Sequence, residues 1–437
     1  MRAGEDTPTK PGANRTRRSH AVSLAIISAT HAVQHAVVAI QPLIFPYAMA
    51  ALGFNYATLG GLLGVANLVN GLSQGAHAWT SRYLRRRTII GLGGIGMGLS
   101  LGCMALAQSF AQFAGAMIFG RIASSAQHPL ANSLMSEWYE PQRRGRAFSI
   151  HFSGGNVGSV ITPIIAGYLI TRFGWHVSLY ALMLPGVAFG LLAALFVEDD
   201  RRPVVASRAQ TNQLKGRLDY LAPLRDRGTR LVILACAVAA GGRGLGVVMV
   251  YVPLYLSQGL HYSMLTTSAL FTIMMVGSVA GPILAGHLSD RFGRKPLIVG
   301  SLMGASIATI ALVLAGGTMP GVVAALVLLG FTVYNESPLM QTFLSDHATR
   351  ENRDTAFAVF FVLTYAAGAA WAAALGLLVN RFGFEAAFLS MIASYVLASL
   401  VTLRIKTPAS VPGSAGSVIP AQNGSLSLLS GQPNSPA

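Results

Sequence analysis

The chain has 437 residues, 53% of them hydrophobic and only 11% charged. About a quarter charged is usual for a soluble domain, so this composition excludes a water-surrounded fold and points to a chain dissolved largely in lipid. The formal net charge of +16 would suit a nucleic-acid binder, but the basic residues sit in short connections between apolar blocks with no interleaved aromatics, which excludes that class and leaves charge-sorted membrane topology.

In chain order, residues 1–20 are polar, with Pro, Gly, Lys and Arg, and read as a disordered cytoplasmic tail. The apolar run after them is longer than a signal-peptide core and reads as an uncleaved first span. Blocks long enough to cross a bilayer predict twelve spans, at about 21–46, 57–79, 88–108, 112–136, 146–170, 175–197, 230–256, 264–288, 296–316, 319–343, 354–379 and 384–403. The charged stretch 198–229 separates two groups of six as a cytoplasmic linker, and the Ser/Pro/Gly/Asn-rich residues 404–437 read as a second disordered tail. The expected fold is an all-α membrane protein, with six-helix bundles at 21–197 and 230–403. The tails, the linker and the loops after spans 2, 4, 8 and 10 hold 27 of the 31 Lys and Arg. That bias predicts a multi-pass protein of the cell inner membrane with both termini in the cytoplasm. Cys103 and Cys236 lie inside apolar blocks and read as small packing residues, with no disulfide or metal framework.

The two groups of six are copies. Gly286 to Lys295 lies 209 positions after a worn copy that ends Ser81-Arg82-Tyr83-Leu84-Arg85-Arg86. The same offset relates Arg144-Gly145-Arg146-Ala147-Phe148 to Arg353-Asp354-Thr355-Ala356-Phe357, Arg172-Phe173-Gly174 to Arg381-Phe382-Gly383, and Pro129 to Pro338. Long-period repetition in an apolar chain marks a transporter built from two similar halves. In the hinge 286–295, Gly286 permits close helix approach, Asp290 can cap a neighbouring helix among the cations Arg291, Arg294 and Lys295, and Gly293 permits a tight turn. A cytoplasmic gate is expected from Gly286, Asp290, Arg291, Gly293 and Arg294, with Arg82 and Arg144 from the first half.

This hinge resembles the signature loop of the major facilitator superfamily. The first-half copy departs from it, with Ser81 for the acid, His77 for the first glycine and Leu84 for the second. Arg121 is similar to the superfamily's membrane-embedded arginine. Gly154, Gly155, Gly158, Pro163 and Gly167 resemble the glycine-rich fifth helix of its antiporters, where small residues allow close packing.

Ionisable residues at bilayer depth cost several kcal/mol unless they face a cavity or a partner, so each is a functional candidate. His31, Gln34 and His35 share one face of span 1. Their chemistry admits a proton-handling patch, neutral interhelical hydrogen bonds or a metal pair; no third ligand lies nearby in sequence, and no metal is expected. Arg121 and His128 share a face of span 4, Arg243 sits at the middle of span 7, and Asn335 precedes Glu336, the one deep acid, in span 10. Two fixed cations against one titratable acid favour an anionic, zwitterionic or neutral polar substrate over a cationic drug.

His31-x-x-Gln34-His35 with Pro42-Leu43, Ser124 to Pro129, and Arg243 resemble the fosmidomycin-resistance branch of the superfamily. That resemblance implies proton-driven export of small molecules, phosphonates included. Where the branch carries an acid in helix 1, this chain has His35, so coupling is expected at Glu336, His31 and His35. The expected substrate site is His31, Gln34, His35, Arg121, His128, Arg243, Asn335 and Glu336. Organic-anion uptake and a transporter-like receptor are the alternatives. There are no paired intramembrane carboxylates, no His-Glu-x-x-His, no nucleophile elbow and no nucleotide-binding glycine loop, so neither an enzyme nor direct ATP drive is expected. The expected partners are protons, a small-molecule substrate and the lipid bilayer, for a monomer without cofactor or nucleic acid.

Overall fold

The computed structural model describes residues 11–81, 83–199, 222–348 and 353–406, and every regular element among them is helical. The first half contains α1 (Pro11–Leu52), α2 (Tyr56–Thr80), α3 (Arg86–Ala105), α4 (Phe110–Ser124), α5 (Gln127–Trp138), α6 (Pro141–Phe173) and α7 (Trp175–Phe196). The second half contains α8 (Arg227–Ala239), α9 (Met249–Leu254), α10 (Met264–Phe292), α11 (Arg294–Leu314), α12 (Met319–Val333), α13 (Glu336–His347) and α14 (Arg353–Leu403). Helices are the only open-ended way to satisfy every backbone N–H and C=O in hydrocarbon.

Nine described segments are long and apolar enough to cross a membrane. Three further crossings complete the expected twelve. Polar Asn67, Asn70, Gln74 and His77 dilute the hydropathy of α2. The fourth crossing is cut into α4 and α5. The 51 residues of α14 hold two crossings, because Gly383 at φ 81° reverses the chain between them. The first-half equivalent, Gly174, adopts φ 84°, so the repeat has preserved a left-handed turn that suits glycine.

The fourth crossing of each half breaks at the same repeat position. α4 ends at Ser124 and α5 begins at Gln127; α12 ends at Val333 and α13 begins at Glu336. Pro129 and Pro338 lie just beyond, and a proline removes the hydrogen bond to the carbonyl four residues earlier, Ser125 or Tyr334. Gln127 and Glu336 thus become the first residues of second half-helices, at a partially positive terminus.

One expectation is corrected. Residues 11–20 belong to α1 rather than to a disordered tail; Pro11 is tolerated in a first turn, where its missing N–H has no partner to lose. The seventh crossing is not one smooth helix. After α8 it passes through a 3₁₀ turn at Ala240–Gly242, reaches Arg243 in an extended conformation (φ −64°, ψ 130°), and continues through wider turns at Gly244–Val248 and Tyr255–Gly259. The rest of the linker, residues 349–352 and the segment after 406 lie outside the described residues.

The two broadest contacts between the halves are related by the repeat. α2 packs on the first crossing of α14, and α6 packs on α10. At the ends far from the hinge these contacts leave no room for side chains. A Cβ on Gly60 would lie 2.5 Å from the Ala372 carbonyl oxygen and 2.8 Å from Gly376 Cα, and one on Gly64 would lie 2.7 Å from the Ala369 carbonyl oxygen. Tyr56, Tyr255 and Phe384 close the same end with ring centroids 5.4 and 5.7 Å apart. At the basic end, a Cβ on Gly75, Gly145 or Gly286 would meet nothing within 4 Å. The halves are closed against each other at the far end, and at the basic end these three glycines have no neighbouring helix against them.

A triad of buried Arg86, buried Asp199 and the exposed Glu137 braces the basic end of the first half. Arg86 donates to Glu137 at 2.6 and 2.9 Å and to Asp199 at 3.1 Å, tying the start of α3 to α5 and to the chain after α7. Arg86→Ala leaves the fully covered Asp199 carboxylate without its ion-pair partner, held by the Arg87 N–H at 3.3 Å. It is expected to destabilise the protein by about 3–5 kcal/mol, read as a lowered unfolding temperature in detergent; an unchanged unfolding temperature would remove the triad from the account.

Candidate functional site

Arg121 and Arg243 come from opposite halves and line one cleft between them. With them stand Val38, Gln41, Asn67, Thr364 and Tyr365, around an empty volume of about 740 Å³ that includes open solvent. Arg121 projects from α4 one turn before the Pro129 break. Its Nη2 donates to Gln41 Oε1 at 2.8 Å, while its buried Nε has no hydrogen-bond partner. Asn70 donates to the Arg121 carbonyl at 2.8 Å. Gln74 donates to Asn70 at 3.0 Å and to Tyr365 Oη, across the halves, at 3.3 Å. Among the described residues Arg121 has no carboxylate partner. Among the described residues its guanidinium is held by the Gln41 amide oxygen.

Arg243 does have one. Its Nε donates to Glu336 Oε2 at 3.3 Å and its Nη2 to Glu336 Oε1 at 3.4 Å. Cys236 Sγ donates to Glu336 Oε1 at 3.0 Å, so the cysteine read as packing is part of the polar cluster. The Glu336 side chain is 5% exposed and that of Arg243 is 21% exposed, so the arginine is the wetter partner and the one facing the cleft. Both positions follow from helix breaks: Glu336 opens α13, and Arg243 is the extended residue that interrupts the seventh crossing. Their repeat equivalents are Gln127 and Gln34. Gln127 donates to the Ile27 carbonyl at 2.9 Å and Gln34 to the Ser124 carbonyl at 3.1 Å. One architectural tie is therefore neutral in the first half and ionic in the second.

The remaining expected residues separate into two groups. His31, His35 and His128 converge away from the cleft, between α1, α5 and α6, and His151 joins them. Gly154 and Gly155 make room: their Cβ atoms would lie 3.2 Å from Ser28 Cβ and 2.7 Å from His31 Cε1. Asn335 turns from the cleft and donates to Ser301 Oγ at 3.2 Å and the Phe331 carbonyl at 2.9 Å.

At the hinge, Gly293 adopts φ 90° and lets α11 start at once. Asp290 caps no helix; it accepts from Arg294 Nη1 at 2.6 Å, and Arg294 also lies 3.9 Å from Asp346. Arg291 stacks 5.3 Å over Phe292. Each of these partners belongs to the second half, and Gly286 touches no neighbouring helix. Arg144 donates to the Tyr139 carbonyl at 2.8 Å, and Arg82 lies outside the described residues.

Sequence reasoning missed Gln41, Asn67, Asn70, Gln74 and Tyr365. A signal existed for α2, since Asn67, Asn70 and Gln74 recur at helical spacing on one face. Nothing in sequence pointed Tyr365 toward the cleft.

Comparison with known proteins agrees with this architecture. The family model described as Major Facilitator Superfamily matches residues 27–372 and 232–433. The cis,cis-muconate transport protein of Acinetobacter baylyi is 24% identical over 356 residues, 80% of this chain and 85% of that protein. The fosmidomycin resistance protein of Escherichia coli is 25% identical over 367 residues, 83% of this chain and 87% of that protein. The crystal structure of a D-xylose-proton symporter superposes with a TM-score of 0.73 at 18% identity, covering 88% of this chain and 98% of that one.

Proposed function

The chain belongs to the Major Facilitator Superfamily and is a multi-pass secondary transporter, and from that premise we propose that it exports small organic anions in exchange for protons. One observation carries the reading: arginines from opposite halves line a single cleft, and among the described residues only one of them has a carboxylate partner. A substrate carboxylate, phosphate or phosphonate would complete the set, accepting from Arg121 and drawing on Arg243. Gln41, Asn67 and Tyr365 would supply neutral hydrogen bonds for the rest of the molecule.

Glu336 carries the coupling proton in this scheme. Ionised, it holds Arg243; protonated, it releases Arg243 to the anion. Substrate and proton thus bind the same cluster in a linked way, as exchange requires. His31 and His35 give the proton a second landing place. With the basic side taken as the cytoplasm of the inner membrane, the charge bias and the open glycines of that end support a cytoplasm-open state. Closure would bring the hinge of Gly286, Asp290, Arg291, Gly293 and Arg294 toward the α6 end that carries Arg144, with Arg82 at the matching first-half loop. Two relatives support the substrate class, a fosmidomycin resistance protein and a cis,cis-muconate transport protein, and their names leave direction to measurement.

The test is flux in proteoliposomes under an imposed pH gradient, with small dicarboxylates, sugar acids and phosphonates set beside cationic drugs. Gradient-dependent movement of an anion, with none of the cations, is the expected result, and its sign gives the direction. Gradient-driven movement of the cations alone would overturn the proposal.

A further inference from the structure

Away from the arginine cleft, the densest set of chemistry-bearing side chains is the imidazole nest between α1, α5 and α6. His31 is 0% exposed. Its ring stacks on His151 at 4.3 Å and meets His35 and His128 edge-on at 4.6 and 4.9 Å. One ring nitrogen from each of His31, His35 and His128 lies within 4.8 Å of the others. Span 1 supplies the pair at ligand spacing, and the fold supplies the third histidine from α5.

The hydrogen bonds set a tautomer. His31 Nδ1 lies 3.0 Å from the His151 carbonyl oxygen. A carbonyl only accepts, so Nδ1 carries the hydrogen and Nε2 the lone pair. That Nε2 is buried and has no hydrogen-bond partner. His35 Nδ1 is tied to Ser159 Oγ at 3.0 Å, which orients its ring in turn. A ring held through one nitrogen, with the other left without a hydrogen-bond partner, is the usual outer-shell arrangement of a metal-ligating histidine. Gly155 beneath His31 keeps the space, since any larger residue would displace the ring.

We propose that His31, His35 and His128 form a binding site for a divalent transition-metal ion of the zinc, cobalt and nickel class. The donor set decides the class: three neutral imidazoles suit these borderline ions, whereas calcium and magnesium require oxygen ligands, and among the described residues no carboxylate bonds to the nest. Metal–nitrogen bonds of about 2.0–2.1 Å place tetrahedral ligands about 3.4 Å apart. Binding therefore requires the nitrogens to close from the present spacing to that one, and the partly exposed His35 and His128 side chains are the ones with room to turn. Three protein ligands leave the fourth position to water or an exogenous anion. The site does not depend on the transported substrate, and metal and proton compete for the same lone pairs. An occupied site therefore cannot also serve as the proton station assigned to His31 and His35.

The experiment uses the full chain, purified in detergent with a histidine-free tag and stripped with chelator, and titrated with Co²⁺ while visible absorption is read. The site predicts one equivalent bound, with the intense visible bands of a four-coordinate ion, displaced by one equivalent of Zn²⁺. His35→Gln and His128→Gln should each weaken binding at least about tenfold, with unfolding temperatures reported beside them; His176→Gln and His261→Gln should not alter it. Absence of saturable binding, or saturable binding unchanged in a folded His35→Gln/His128→Gln double variant, overturns the proposal. Because binding is read without flux, its failure leaves the anion-transport reading standing, and the converse also holds.

Discussion

Glu336→Gln is expected to lower pH-gradient-driven flux at least about tenfold, a difference of about 1.4 kcal/mol, while leaving downhill substrate exchange near its original rate. Glutamine keeps an acceptor oxygen for Cys236 and Arg243, so the cluster of α8, Arg243 and α13 survives. What it loses is the ability to switch between holding and releasing the guanidinium. The neighbouring deletion behaves differently. Arg243→Ala leaves a carboxylate that is 5% exposed with only a thiol to face it. Removing one partner of a buried pair costs about 3–5 kcal/mol, so this variant should lose yield and thermal stability as well as transport. Proteoliposomes loaded for gradient-driven flux, and separately for counterflow, distinguish the two outcomes. Undiminished gradient-driven flux in Glu336→Gln would move the coupling proton elsewhere.

The second large effect concerns the far-side closure. Gly60→Leu places a side chain where the nearest atoms are the Ala372 carbonyl oxygen and Gly376 Cα, both backbone and unable to rotate aside. The helices must part. The substitution should therefore disfavour the state described here, expose the cleft from the far side and reduce flux at least about tenfold. Gly61 is one residue away, yet a Cβ there meets nothing within 4 Å, so Gly61→Leu should transport near the wild-type rate. Labelling of Leu245→Cys in the cleft by a membrane-impermeant thiol reagent added on the far side reads the opening directly. It should rise in Gly60→Leu and not in Gly61→Leu. Equal behaviour of the two variants would mean that α2 and α14 do not form the closing contact.

Much of this was legible because the chain states its plan twice. The paired prolines Pro129 and Pro338, and the paired turns at Gly174 and Gly383, are backbone instructions, and backbone instructions survive sequence drift. The depth of Arg121, Arg243 and Glu336 was readable for a similar reason, since charge in an apolar block admits few explanations. What escaped was side-chain direction. Helical phase places residues on a common face within one helix, but not the rotation of that helix against its neighbours. His31 and His35 were thus paired correctly while their convergence with His128 and His151, away from the arginines, was not visible. Asn335 and Glu336 are adjacent at a helix break, and one turns to Ser301 while the other meets Arg243. The interruption at Arg243 falls among breakers the sequence does show, Gly241, Gly242 and Gly244, but their packing was not visible. Its flanking glycines pack under Tyr334 and Tyr395 side chains, partners that only the folded chain brings near.

The central claim is that two arginines from opposite halves bind one anion. Equilibrium binding of the anion identified by the flux screen tests it, measured calorimetrically on the purified protein and on Arg121→Gln and Arg243→Gln. Each lost charge-assisted hydrogen bond is worth about 1.5–3 kcal/mol, so each variant should bind at least about tenfold more weakly, with unfolding temperatures recorded alongside. Affinity unchanged in a folded Arg121→Gln protein would contradict the account, because nothing else described in the cleft carries an uncommitted positive charge.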